Sequence, residues 1–275
     1  MPLKFNVVDR VPTYPGRVKM VPVSGQTNTY DMTRADLPVQ AGTPINKELF
    51  DSKADGLKES VTVYVSKSGS DSSGNGTSSA PYLTIKKAID SLPKVLNGFH
   101  AQIDIGAGNY EERVTIDSFV GGRITLGVSG RSVTVRGVSI MSSNSVRLAI
   151  PYIVYSASVS GEGAGLYMSY GSNLQIINEL TVNMLNSTNY GIAIEHGSVL
   201  TTNNVPVTVN NCGRAAVMST YGATMVLSNI IGTGNTNFGL AATLGGMIAY
   251  QAKSITGSSG DYQQSGGRIL AGTGG

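Results

Sequence analysis

The chain has 275 residues, of which 13% are charged and 40% hydrophobic, with a formal net charge of +3. Lysine and arginine are scattered without a basic run, which argues against a nucleic-acid partner. One cysteine, Cys212, excludes an internal disulfide, and two distant histidines, His100 and His196, leave no metal-ligand spacing.

The opening MPLKFNVVDR has no apolar secretory core, and no run of 18 apolar residues follows. Neither a signal peptide nor a membrane span is expected. Within residues 1–57, RVKMVPVSG and YDMTRAD flank the polar QTNT and predict a strand pair. TPINKELFDSK then starts with Thr43 as N-cap and Pro44 in the first helical position. So small a piece cannot bury a large core, and it is expected to dock on a partner.

Residues 58–95 read as a linker, a strand and a capping helix. In VYVSKSGSDSSGNGTSSAPYLTIKKAIDSLP, Thr84 can N-cap a helix that presents Ile85, Ala88, Ile89 and Leu92 on one face. Pro93 ends it. Asp71 is either a calcium ligand or, in the favoured reading, an acceptor for nearby backbone amides. Gly74 and Gly76 are not followed by GK[ST], so no phosphate loop is indicated, and no cofactor motif appears elsewhere.

Residues 96–257 are strand-rich. AQIDIGAGNYEERVTI, GRITLGVSGRSVTVRGVSI and SVRLAIPYIVYSASV run or alternate apolar between Gly and Ser turns. A repeat follows: GLYMSYGSNLQII, GIAIEHGSVLTTN, AVMSTYGATMVLS and GLAATLGGMIAYQ. They align on Gly171, Gly197, Gly222 and Gly245, spaced 26, 25 and 23 residues apart. Each has an apolar residue five before the glycine and another three after it. The period of two puts Leu166-Met168, Ile192-Ile194, Val217-Ser219 and Leu240-Ala242 on one inward column. The glycine marks a bend, and asparagines such as Asn204 and Asn211 close each coil. Coils of this length made of strands alone predict a parallel β-helix. For the part upstream of the repeat, a sandwich or barrel stays open. Residues 258–275 are Gly-rich and are expected to form a tail.

The pattern at residues 63–93 resembles the start of pectate-lyase-like right-handed β-helices, which implies that fold with a capping helix but no particular activity. The phrases VDRVPTYPGRVKMVPV, NTYDMTRAD and GTPINKELFDS resemble the N-terminal region of tail-fibre or baseplate-attached proteins from phages and prophages of Gram-positive bacteria. That resemblance covers residues 1–57. It implies attachment to a tail baseplate, here through Arg10, Tyr14, Arg17, Tyr30 and Phe50. It also implies a homotrimeric virion component that assembles in the cytoplasm and leaves by lysis, with its remainder facing the host.

Chemistry is harder to place. His196 shares a column with Tyr170, Tyr221 and Leu244, in the core or at its corner. Glu195 has the opposite parity and should face out, beside no second carboxylate. Residues 118–275 hold only Glu162, Glu179, Glu195 and Asp261 as acids, too few and too scattered for the carboxylate pair of a glycosidase. No catalytic, metal or cofactor residue is therefore assigned. Tyr167, Tyr190 and Tyr262 can stack on sugars, and Tyr167, Tyr190 and Glu195 are candidate glycan contacts. An outward apolar stripe containing Met218, Val226 and Met247 is a candidate trimer interface; the alternative is a register slip after Gly197 that makes these residues core. The expected function is a trimeric tail fibre or spike touching the cell surface. A polysaccharide depolymerase and a purely structural baseplate subunit are the alternatives.

Overall fold

The computed structural model describes residues 11–12, 18–25, 27, 30–34, 38–40, 56–156, 163–185 and 189–272. The chain divides into two compact units, 1–54 and 55–275. In the first, β2 (Val18–Pro22) and β3 (Tyr30–Arg34) pair antiparallel across the polar turn, as the sequence pattern requires. A second pair, β1 (Val11–Pro12) with β4 (Pro38–Gln40), was not foreshadowed by any alternation. The helix expected after Thr43 lies outside the described residues.

The second unit is a parallel β-solenoid of about seven turns. Its coils have three faces. Face B holds β5 (Val61–Val65), β6 (His100–Ile105), β8 (Arg123–Leu126), β10 (Val146–Leu148), β13 (Asn173–Ile176), β16 (Val199–Thr202), the first halves of β19 (Thr224–Asn235) and β21 (Met247–Gly257), and β23 (Arg268–Ala271). Face C begins with the first halves of β7 (Gly108–Asp117) and β9 (Val133–Met141). It continues through β11 (Tyr152–Ser156), β14 (Leu180–Leu185), β17 (Pro206–Asn210) and the second halves of β19 and β21. Face A is formed by the remaining halves of β7 and β9, then β12 (Ala164–Ser169), β15 (Tyr190–Ile194), β18 (Ala215–Ser219), β20 (Phe238–Thr243) and β22 (Tyr262–Gln264). The upstream segments thus join the same solenoid, and neither a sandwich nor a barrel forms.

Apolar columns fill the interior. Val114, Val138, Leu166, Ile192, Val217 and Leu240 stand in register on face A, all fully buried. Ile124, Val146, Leu174, Leu200, Met225 and Ile248 do the same on face B. Each such side chain stabilises the fold by ~1.5–3 kcal/mol relative to an exposed one, and each coil rests only on its neighbours.

An open solenoid end exposes this interior, and the first and last described coils differ in what covers it. At the first coil, α1 (Ile85–Ser91) covers the core with Ile85, Ala88 and Ile89. Thr84 caps it by accepting a hydrogen bond from the Lys87 amide at 3.1 Å. The Glu112 carboxylate, reaching from β7, accepts the Ile85 and Lys86 amides at 2.9 Å each. Asp71 takes up the Leu83 and Thr84 amides at 2.9 and 3.0 Å and the Thr84 hydroxyl at 2.6 Å, so its backbone-binding role is the one observed. At the last coil no helix is present among the described residues. There the inward register passes from Ile230 to Lys253 and from Ala242 to Gln263. Lys253 pairs with Asp261, and Gln263 accepts the Ile269 amide at 2.8 Å. Charged and polar groups at an edge blunt further strand pairing.

Two expected boundaries shift. Leu57, placed in the attachment module by the sequence pattern, packs in the solenoid core. The stretch expected as a tail contributes β22 and β23, and Gly266, with φ +79°, is a fifth copy of the bend glycine.

Candidate functional site

The bends between faces A and B shape the site. At each one a bulky residue and then a glycine both have positive φ: Tyr170 and Gly171, His196 and Gly197, Tyr221 and Gly222, Leu244 and Gly245. Two successive left-handed residues are the signature of a type I′ turn. Amides close the turns onto Glu195, Thr220 and Thr243 carbonyls at 2.8–3.3 Å. The next residue lies inside the bend, where space is minimal: a Cβ on Gly246 would land on the Ser219 carbonyl oxygen. In the earlier coils this inner position is serine. Ser172 and Ser198 are fully buried, and their hydroxyls accept the amides of Ser143 and Ser172 at 3.3 and 3.2 Å.

The left-handed pair also breaks the alternation of sides. His196 has the parity of Ile192 and Ile194 in sequence, yet its side chain is 44% exposed. It belongs to the corner, not the core. Tyr170 and His196 stack with centroids 5.4 Å apart and planes 12° apart, and His196 and Tyr221 at 4.9 Å and 4°. Leu244 continues the ridge.

Beside this ridge, the outward column of face A reads Ser139, Tyr167, Ala193, Met218, Ala241 and Tyr262. Small residues in its middle leave a trough. A hollow of about 400 Å³ is lined by Tyr167, Tyr190, Ala193, Glu195, Met218 and Tyr221, among others. A second, of about 330 Å³, shares Tyr190, Met218 and Thr243 with it and adds Arg214, Asn237, Phe238 and Tyr262. The two hollows adjoin through these shared residues. The far wall is again aromatic: Phe238 and Tyr262 stack at 4.8 Å, and the Arg214 guanidinium lies 5.0 Å from the Tyr190 ring centre. Thr243 donates to Thr220 at 2.9 Å within the floor.

Three of the residues singled out from sequence, Tyr167, Tyr190 and Glu195, therefore meet in one groove. The Tyr167 hydroxyl donates to the Glu195 carboxylate. Burial, and then this hydrogen bond, push the Tyr167 phenol up to about 12. Such a phenol is held protonated and is no activated nucleophile. Ser169, His196 and Glu195 are also close, but not as a catalytic triad. Ser169 Oγ and Glu195 Oε1 approach the same ring nitrogen, His196 Nδ1, at 3.0 and 3.3 Å. A triad needs the serine and the acid on opposite nitrogens, and Ser169 is fully buried. Among the described residues, Glu195 is the one carboxylate lining either hollow. Glu179 lines a separate hollow on face C with Arg131 and Tyr152. Asp261 is taken up by Lys253 and by the Leu240 amide.

The stripe expected from sequence splits. Met218 lines the groove on face A, whereas Val226 and Met247 point outward from face B. No register slip occurs, since Val199, Thr224 and Met247 stand in one column and Thr201, Val226 and Ala249 in the next. Val226 and Leu270 are 47% and 46% exposed there. Of the attachment candidates, Tyr30 is exposed on β3, and Arg10, Tyr14, Arg17 and Phe50 lie outside the described residues. No group of three metal-ligating side chains occurs among the described residues, and no helix there is long and apolar enough to cross a membrane. Burial pushes the Cys212 thiol up to about 12, so it is inert in the folded chain. Arg214 and Phe238 escaped the sequence reading because they sit where the chain turns onto face A, outside the alternating stretch.

A scan against protein-family models finds no match, and searches of curated proteins and of solved structures return no similar chain. The groove must be interpreted from its own chemistry.

Proposed function

We propose that the chain is a trimeric tail fibre or spike of a phage or phage-tail-like particle that binds a cell-surface glycan in the face A groove. The first unit, residues 1–54, whose phrasing resembles baseplate-attached proteins, is the attachment module. The observation that carries the glycan reading is the trough itself. Aromatic rings stand on both walls, small residues form the floor, and hydroxyl, amide and carboxylate groups sit within reach. Aromatic faces take the apolar side of a sugar ring, and the polar groups take its hydroxyls. A solenoid face supplies this over several rungs about 4.8 Å apart, which suits an extended polymer.

The groove favours binding over cleavage. Hydrolysis by paired carboxylates needs two acids about 5–9.5 Å apart, and among the described residues the groove offers Glu195 alone. On face B, the exposed Val226 and Leu270 with Ala249 between them give parallel copies an apolar surface to share. The test is to incubate the purified oligomer with isolated cell walls of Gram-positive bacteria. Protein in the pellet and no new reducing ends in the supernatant is the expected result. Released oligosaccharide would establish a depolymerase, and absence of both would favour a scaffold. Trimerisation is tested separately by mass, with V226E and L270E expected to give monomers.

A further inference from the structure

Within the groove, Arg214 stands apart. Among the described residues its guanidinium has no ion pair and no side-chain hydrogen bond; it is held only by the Tyr190 ring, 5.0 Å away. Two other arginines of the solenoid are engaged: Arg131 with Asp104, and Arg113 with Ser139 and the Ala164 carbonyl. A cation lying over an aromatic ring is held there while its N–H groups remain available to a ligand. The side-chain amide of Asn237, lining the same hollow, likewise has no partner among the described residues. Among the described residues no carboxylate lines this hollow. Asp261, next to Tyr262 in sequence, is neutralised by Lys253. The result is a concave site with a preset cation, a free amide and an aromatic wall of Phe238 and Tyr262, adjoining the Glu195 hollow that carries the opposite charge.

We propose that the Arg214 hollow binds the anionic substituent, carboxylate or phosphate, of an acidic glycan. The guanidinium fork receives two oxygens of that group, and Tyr262 and Phe238 take the face of the sugar that bears it. Glu195, further along the trough, repels a second anion, so the polymer is read as acidic at this position and neutral at the next. This inference rests on the glycan reading of the groove and adds the class of sugar.

Four probes test it with the full-length protein at low salt: oligogalacturonate and its carboxyl-reduced counterpart, and dextran phosphate and unmodified dextran. Binding of an acidic probe in preference to its neutral partner is expected. R214Q should weaken that binding by roughly ten- to a hundredfold, as loss of charge-assisted hydrogen bonds does, with R214K recovering only part. Which acidic probe binds separates carboxylate from phosphate recognition. Y262A, which leaves the charge in place, should weaken acidic probes too. Equal binding of acidic and neutral probes would overturn this inference and leave the glycan reading standing. Acidic binding that R214Q leaves unchanged would place the anion elsewhere and also overturn it. Failure of all four probes, together with failure to bind cell walls, would remove both readings.

Discussion

The coils before residue 157 and those after residue 162 share one architecture but use their polar and strained residues differently. In the earlier coils most of the described acids hold structure together. Asp71 and Glu112 fix the start of α1, Asp104 pairs with Arg131, and Asp90 pairs with Lys86. In the later coils acids are few, and the costly features are of another kind. Tyr170, His196, Tyr221 and Leu244 occupy left-handed backbone, where a bulky side chain costs ~1–2 kcal/mol, and three of these four leave a large apolar side chain exposed. Asn204 and Asn211 show that the same chain uses asparagine when it needs this conformation cheaply. The earlier coils are thus built for stability, and the later corner retains a ridge that stability alone does not call for.

The largest expected effect tests the first half. Ile89→Ala removes a buried side chain from the helix that caps the solenoid and should cost about 2–5 kcal/mol in urea unfolding. Because coils rest only on neighbours, hydrogen-exchange protection should fall first in β5 and β6 and persist in β20 and β21. A uniform loss along the solenoid would show that the two halves are one cooperative block.

Ser172→Ala comes next. It deletes a fully buried hydroxyl and leaves the Ser143 amide without its partner, at a cost of about 1–3 kcal/mol. No change in the melting midpoint would mean that water replaces the hydroxyl.

Asp71→Ala should cost about 1 kcal/mol, discounted because the group is largely solvated. Its pH dependence has a definite sign. Burial raises the Asp71 pKa, but the Thr84 hydroxyl, the Thr84 and Leu83 amides and nearby Lys87 together bring it below its ordinary 3.8. The ionised form therefore favours the folded chain. Its contribution is present above the unfolded value and disappears as pH falls through the lower folded one. The stability gap between wild type and D71A should narrow in acid, and a gap that widened there would refute this assignment.

Much of this was legible in the sequence, for identifiable reasons. Four glycines in register with a period of two around them specify coils, and the inward columns followed residue by residue. The cap was readable because Thr84, Ile85, Ala88 and Ile89 combine a capping residue with a helical apolar face. What alternation missed lay at the bends. Parity presumes extended backbone, and the positive φ of His196 and Gly197 turns an apparently inward histidine outward. Arg214 and Phe238 were hidden at a different corner, where the chain turns onto face A. The fifth repeat was missed because its inward position is Gln263, so the polar end of the solenoid looked like a tail.

The smallest expected change in stability is the most informative about the groove. Tyr221→Asn removes a ring stacked on His196, a loss of ~0.5–1.5 kcal/mol at most for so exposed a pair. It also relieves left-handed strain by a similar amount, because asparagine tolerates that conformation. The two effects oppose, so the midpoint should move by less than about 1 kcal/mol in either direction. Binding should not be spared, because Tyr221 lines the hollow that holds Tyr167 and Glu195. A stable variant with weakened cell-wall binding would mark the ridge as kept for its ligand at the expense of backbone strain. If Y221N instead lost more than about 2 kcal/mol and bound cell walls normally, the ridge would be a strut, and the later coils would differ from the earlier ones only in how they turn their corners.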